Sequence, residues 1–182
     1  YEDELGTYLV KLSGCHLNEQ DRVEAAELLH MIGDFERISD HAVNILESTE
    51  ELLGKGITFT PTAMEEMKKM FGAVEEIMDL ALTSFIHTDL SAAAEVEPLE
   101  QVVDTLKEQL RSRHILRLQE GRCGMEAGFV WADLLTDLER IADHCSNIAG
   151  CVVQMQKSRL DIHGYLDGVR SGSDEFRQRY DF

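Results

Sequence analysis

D-F-E-R-I-S-D-H-A-V-N-I, residues 34–45, returns as D-L-E-R-I-A-D-H-C-S-N-I at residues 137–148. Asp34, Glu36, Arg37, Ile38, Asp40, His41, Asn44 and Ile45 each recur 103 positions later. Self-similarity at one fixed offset means two related halves. Each copy sits in a run with helical apolar spacing. Val23, Leu28, Met31, Ile32, Phe35, Ile38, Ala42, Ile45 and Leu46 share a face around the first copy. Phe129, Trp131, Leu134, Leu135, Leu138, Ile141, Ile148 and Val152 do so around the second. The repeat therefore decides an all-α fold.

Upstream of the first copy, Leu5, Leu9 and Leu12 follow helical spacing and stop near Ser13-Gly14. Asn18, with Asp21 three residues on, is a suitable N-cap for a second helix that runs to about Leu53, before Gly54-Lys55-Gly56. Pro61 suits the first turn of a third helix carrying Met64, Met67, Met70, Phe71, Val74, Ile77, Met78, Leu82 and Phe85. After a break at His87–Asp89, Leu99, Val102, Val103, Leu106 and Leu110 form the stripe of a fourth helix, with Pro98 as its start or a kink. It ends near Gln119–Gly121, and Gly124 and Gly128 open a fifth. From Asp161 through Gly164, Gly168 and Gly172 the pattern reads as less regular, and Asp174–Phe182 as a final helix. The expectation is two tandem three-helix repeats, residues 1–88 and 89–182, in one six-helix bundle.

Composition narrows the function. A formal charge of −18 on 182 residues repels polyphosphate chains, so nucleic acid is not an expected partner. Surplus carboxylates attract hard cations, although solubility alone also explains an acidic surface. Cys15, Cys123, Cys145 and Cys151 form no C-x-x-C pair and read as reduced thiols. No apolar run is long enough to span a membrane. The chain opens at Tyr1 in what already looks like helix interior, as a piece of a longer protein would.

The repeated stretch carries Glu36 and Asp40, and again Glu139 and Asp143, four apart and therefore stacked on one helix face. That face points roughly 120 to 160 degrees away from the apolar stripe, by the rotation of about 100 degrees per residue. Glu100 and Asp104 have the same spacing on the fourth helix. If the fourth and fifth helices pack antiparallel, Glu100, Asp104, Glu139 and Asp143 form one four-carboxylate patch, which repels itself without a cation. Carboxylates from neighbouring helices are how di-metal sites are built in bundles. His41 and His144 stand as outer ligands or supporting partners. The competing reading is a salt-bridged solvent face, with Arg37 on Asp34 or Asp40 and Arg140 on Asp137 or Asp143. Glu75 and Asp79 show the same spacing and are given no role. No nucleophile beside a base, Gly-rich phosphate loop or H-E-x-x-H is present.

The doubled E-R-I-S-D-H-A-V-N-I and E-R-I-A-D-H-C-S-N-I resemble the paired signature of the PhoU family across essentially the whole chain. Y-E-D-E-L-G-T-Y-L-V-K-L-S, V-E-P-L-E-Q-V-V-D and R-H-I-L-R-L-Q-E-G-R-C are similar to the PhoU-like domain at the C-terminus of bacterial sodium/phosphate cotransporters. The resemblance implies a non-enzymatic regulatory module of phosphate uptake, at the cytoplasmic side of the plasma membrane. Its implied partners are a transmembrane transporter segment of the same chain and, in a homo-oligomer, a second copy of itself. It implies iron or zinc clusters on E/D-x-x-x-D pairs, which here are Glu36 with Asp40, Glu100 with Asp104, and Glu139 with Asp143. The first-half counterparts of Glu100 and Asp104 fall before Tyr1, so the second half is the better candidate. A free-standing PhoU-type regulator of a phosphate ABC transporter and its sensor kinase is the alternative, and a di-metal carboxylate enzyme a more distant one.

Overall fold

The computed structural model describes the backbone of residues 1–172 and the side chains of residues 1–158. Five helices account for it: α1 (Glu2–Ser13), α2 (Glu19–Lys55), α3 (Pro61–His87), α4 (Leu90–Gln119) and α5 (Met125–Gly172). No strand occurs among the described residues. The sixth helix expected at Asp174–Phe182 lies outside them.

The helix ends follow local chemistry. Asn18 Oδ1 accepts from the Asp21 amide at 2.8 Å and opens α2. Gly56, at φ 63°, closes it in the left-handed region that a glycine adopts without strain. Thr60 caps α3 through the Ala63 amide, with Pro61 in the first turn. Asp89 takes the amides of Ser91 and Ala92 and starts α4 at Leu90, well before Pro98. Pro98 thus lies inside the helix and does not start it. The irregular stretch expected from Asp161 is also absent, since α5 continues to Gly172. Each interior glycine costs about 1 kcal/mol against alanine, which weakens a helix without ending it.

Packing is uneven between the halves. α3, α4 and α5 each pack on the other two, α2 lies along α5, and α1 packs on α2. The main core joins Met67, Met70, Val74 and Ile77 of α3 to Val96, Val103 and Leu110 of α4 and to Trp131, Leu134, Leu138 and Ile141 of α5. At about 1.5–3 kcal/mol per fully buried large side chain, this three-helix contact dominates the stability. α3 thus shares its core with α4 and α5 across residues 88/89. A smaller cluster of Met31, Ile148 and Val152, flanked by Leu28, Phe35 and Phe85, fastens α2 to α5.

Several residues assigned to apolar stripes lie outside the core, among them Leu46 at 58% exposure, Val102 at 49% and Phe129 at 66%. Leu46 marks a difference between the two copies. Its counterpart in the other copy, Ala149, is buried.

Candidate functional site

The two copies of the repeated stretch meet. Nδ1 of His41 on α2 donates to Oδ1 of Asp137 on α5 at 2.8 Å, and the Asn44 amide donates to the same oxygen at 3.1 Å. Reciprocally, Nδ1 of His144 donates to Oδ1 of Asp34 at 2.8 Å and Asn147 donates to it at 3.2 Å. The imidazoles of His41 and His144 lie nearly parallel between the pairs, centroids 5.8 Å apart. α2 and α5 therefore run antiparallel about a local pseudo-twofold axis, each aspartate clasped by the other copy's histidine and asparagine. This gives the two histidines a structural task, and it makes Asp34, Asp137, Asn44 and Asn147 part of the motif's purpose. Asp137 and His144 are buried, so each hydrogen bond avoids the penalty of a desolvated polar group.

The carboxylates point away from this clasp. One oxygen each of Glu100, Asp104 and Asp143 lies within 4.8 Å of the others, across the α4–α5 seam. Burial, then Asp104 and further acidic neighbours, push the Glu100 carboxyl above its ordinary pKa. Burial and Glu139 do the same to Asp143, against the opposing effect of Arg140, whose Nη1 reaches Asp143 at 3.0 Å. Carboxyls with raised pKa values beside one another are electrostatically uncompensated, and a cation would relieve them.

Glu139 is diverted from the expected four-carboxylate patch. Its Oε1 is paired with Lys107 of α4 at 2.8 Å, and Oε2 has no hydrogen bond and lies 3.7 Å from Arg140 Nε. Carboxylate spacing alone gives no sign of Lys107, although it follows Asp104 by three residues on the same helix. Glu36 and Asp40 are exposed on α2 and join no cluster of three ligand groups among the described residues. Glu36 instead borders a groove shared with Tyr1, Glu2 and Asp3. The salt-bridge reading holds for Arg140 with Asp143, whereas Arg37 makes no ion pair among the described residues.

A donor set of carboxylate oxygens alone suits a hard cation, although zinc also accepts carboxylate oxygen beside its favoured nitrogen and sulfur. The nearby cysteines do not alter this. Burial pushes the Cys145 thiol up to about 12, and burial with a hydrogen bond to Glu27 does the same for Cys151, so both are protonated at neutral pH.

Fold and site define a class: a duplicated all-α bundle whose copies clasp at an Asp-His-Asn motif and carry carboxylates outward. The PhoU domain matches residues 1–49 and 67–152, and the chain belongs to the PhoU family. The second matched segment spans most of α3, all of α4 and the first part of α5, in line with the packed three-helix unit.

Among curated relatives, the chain is 29% identical over 147 residues to the phosphate-specific transport system accessory protein PhoU homolog 1 of Thermotoga maritima, covering 81% of this chain and 62% of that protein. It is also 29% identical over 124 residues to the PhoU homolog of Pseudomonas aeruginosa that bears the same accessory-protein name, covering 67% of this chain and 50% of that one. The chain thus spans roughly half to three-fifths of the length of these relatives. The crystal structure of PhoU from Pseudomonas aeruginosa superposes with a TM-score of 0.78 at 23% identity, over 86% of this chain and 75% of that one, and shows the shared fold.

No helix among the described residues is long and apolar enough to cross a membrane. The Thermotoga and Pseudomonas relatives are both named as accessory proteins, and neither is named as a sodium/phosphate cotransporter.

Proposed function

We propose that this chain is a non-catalytic regulator of phosphate uptake, working as a PhoU-type accessory protein on the cytoplasmic face of a separate phosphate transporter. The observation that carries this reading is the family match over both copies of the motif, joined to relatives named as phosphate-transport accessory proteins. A cotransporter domain is the weaker reading, since it rests on the flanking stretches alone.

In this proposal Glu100, Asp104 and Asp143 hold a hard cation. Bound there, the cation supplies the positive charge that lets an acidic protein meet another acidic surface. Lys107 holds Glu139 in reserve beside it, so exchanging that ion pair for a metal bond is a route by which occupancy alters the α4–α5 surface.

The test is phosphate uptake by cells in which the gene is deleted and then restored with wild type or with the Glu100→Gln, Asp143→Asn double variant. Misregulated uptake on deletion, rescued by wild type and poorly by the variant, supports the proposal. Uptake indifferent to deletion would sink it. Restoration by a transporter-free polypeptide supports the accessory reading over the cotransporter one.

A further inference from the structure

Five buried side-chain nitrogen or oxygen atoms among the described residues have no hydrogen-bond partner, and four of them crowd round one indole: His114 Nδ1, Arg117 Nε, Arg117 Nη2 and Trp131 Nε1. The fifth belongs to Glu139, in the site already described. The His114 ring stacks on Trp131 with centroids 5.1 Å apart and planes 12° apart, and Arg117 Cζ lies 5.2 Å from the same ring. Exposure is 4% for His114, 7% for Arg117 and 1% for Trp131. Such a concentration of unpaired polar atoms is costly and asks for a partner.

The chemistry of the set identifies that partner. Arg117 gives Nη1 to Glu66 Oε2 at 2.7 Å, and Arg113 gives Nη1 to Glu66 Oε1 at 3.2 Å. Two guanidinium groups thus face one carboxylate, which leaves a surplus of positive charge. What Arg117 has not spent is Nε with Nη2, the parallel N–H fork that grips carboxylates and phosphates. The indole N–H is a donor and never an acceptor. Burial first, then Arg117, hold His114 below its ordinary pKa, so the ring is neutral at pH 7 and has one N–H to donate. Nearly everything here donates.

We propose that the Arg117–Trp131–His114 cluster binds a small tetrahedral oxyanion of the inorganic phosphate class. The four atoms have almost no contact with solvent as they stand, so binding requires the groups packed on them to move. Cys123 of the α4–α5 turn lies on the other ring nitrogen of His114, its Sγ 3.8 Å from Nε2. The site lies apart from the carboxylate cluster, so it stands or falls separately from the proposed metal role.

Trp131 is the only tryptophan in the chain, so its emission reports on this site directly. The intact protein is titrated with inorganic phosphate, sulfate and chloride at constant ionic strength. A saturable change with phosphate or sulfate, absent with chloride, is expected. Arg117→Lys keeps the charge but removes the fork, and should weaken binding about tenfold or more. Should that variant fail to fold, Trp131→Phe, which keeps a ring and deletes the N–H, is compared with wild type by phosphorus NMR line broadening of added phosphate. No saturable response, an equal response to chloride, or affinity unchanged in the variant overturns the proposal.

Discussion

Asp34 and Asp137 each take two hydrogen bonds on one oxygen from the opposite copy of the motif, which explains why aspartate, histidine and asparagine recur together. Asp137→Ala should destabilise the fold by about 1–3 kcal/mol, because it strands His41 and Asn44 without their acceptor. Chemical denaturation of Asp137→Ala, His41→Ala and the double variant should show coupling of about 0.5–3 kcal/mol. Additive effects would argue against the clasp. A second residue-scale prediction concerns Glu100, whose raised pKa means that the folded state holds its proton more tightly than the unfolded chain does. Its ionised form therefore opposes folding, and this opposition fades as pH falls through the raised folded-state pKa. Glu100→Gln should accordingly stabilise the metal-free protein by about a few tenths of a kcal/mol at neutral pH, with the gain shrinking on acidification. Thermal melts across pH 4–8, a window spanning about the carboxylate and neutral ranges, check this. The clasp is partly legible in the sequence: Asp34, His41 and Asn44 fall within about 80 degrees of one another on a helix face. What the spacing lacks is the identity of the helix opposite. Only the antiparallel register of α2 on α5 pairs each aspartate with the other copy.

At the scale of elements, helix existence is easier to read than helix surroundings. Asn18, Thr60 with Pro61, and Gly56 mark ends by local chemistry that needs no tertiary context, and the structure uses all of them. Pro98 leaves two readings open in the sequence, because its missing N–H is equally compatible with a helix start and with one lost bond inside a helix, and the structure takes the second. The apolar stripes identify most of the core, yet Leu46 and Phe129 are exposed because a stripe records what a helix can bury and not what lies beside it. Glu139 shows the same limit: its spacing places it with Asp143, while the register of α4 gives it to Lys107. The packing asymmetry has a dynamic consequence. α1 rests on α2, whereas its counterpart α4 is held by both α3 and α5. In native-state hydrogen exchange, amides in the middle of α1 should exchange fastest among helix interiors, and those of α5 near Leu134–Ile141 slowest. Equal protection in α1 and α4 would contradict that ordering.

For the whole molecule, the doubled motif does two jobs on two faces of the same helices. Toward the interior, Asp, His and Asn lock the copies together. Outward, the Glu and Asp four apart present charge to whatever packs or binds alongside, and only on the α4–α5 seam do three such groups converge among the described residues. A formal charge of −18 makes this seam a place where a cation changes much. Cation binding there is tested most directly by elemental analysis of protein purified without chelator or affinity-column metal. The expected result is a bound metal cation that is lost in Glu100→Gln with Asp143→Asn and retained in Glu36→Gln with Asp40→Asn. Protein free of metal even after iron is supplied, or metal retained when Glu100 and Asp143 are replaced, would contradict it.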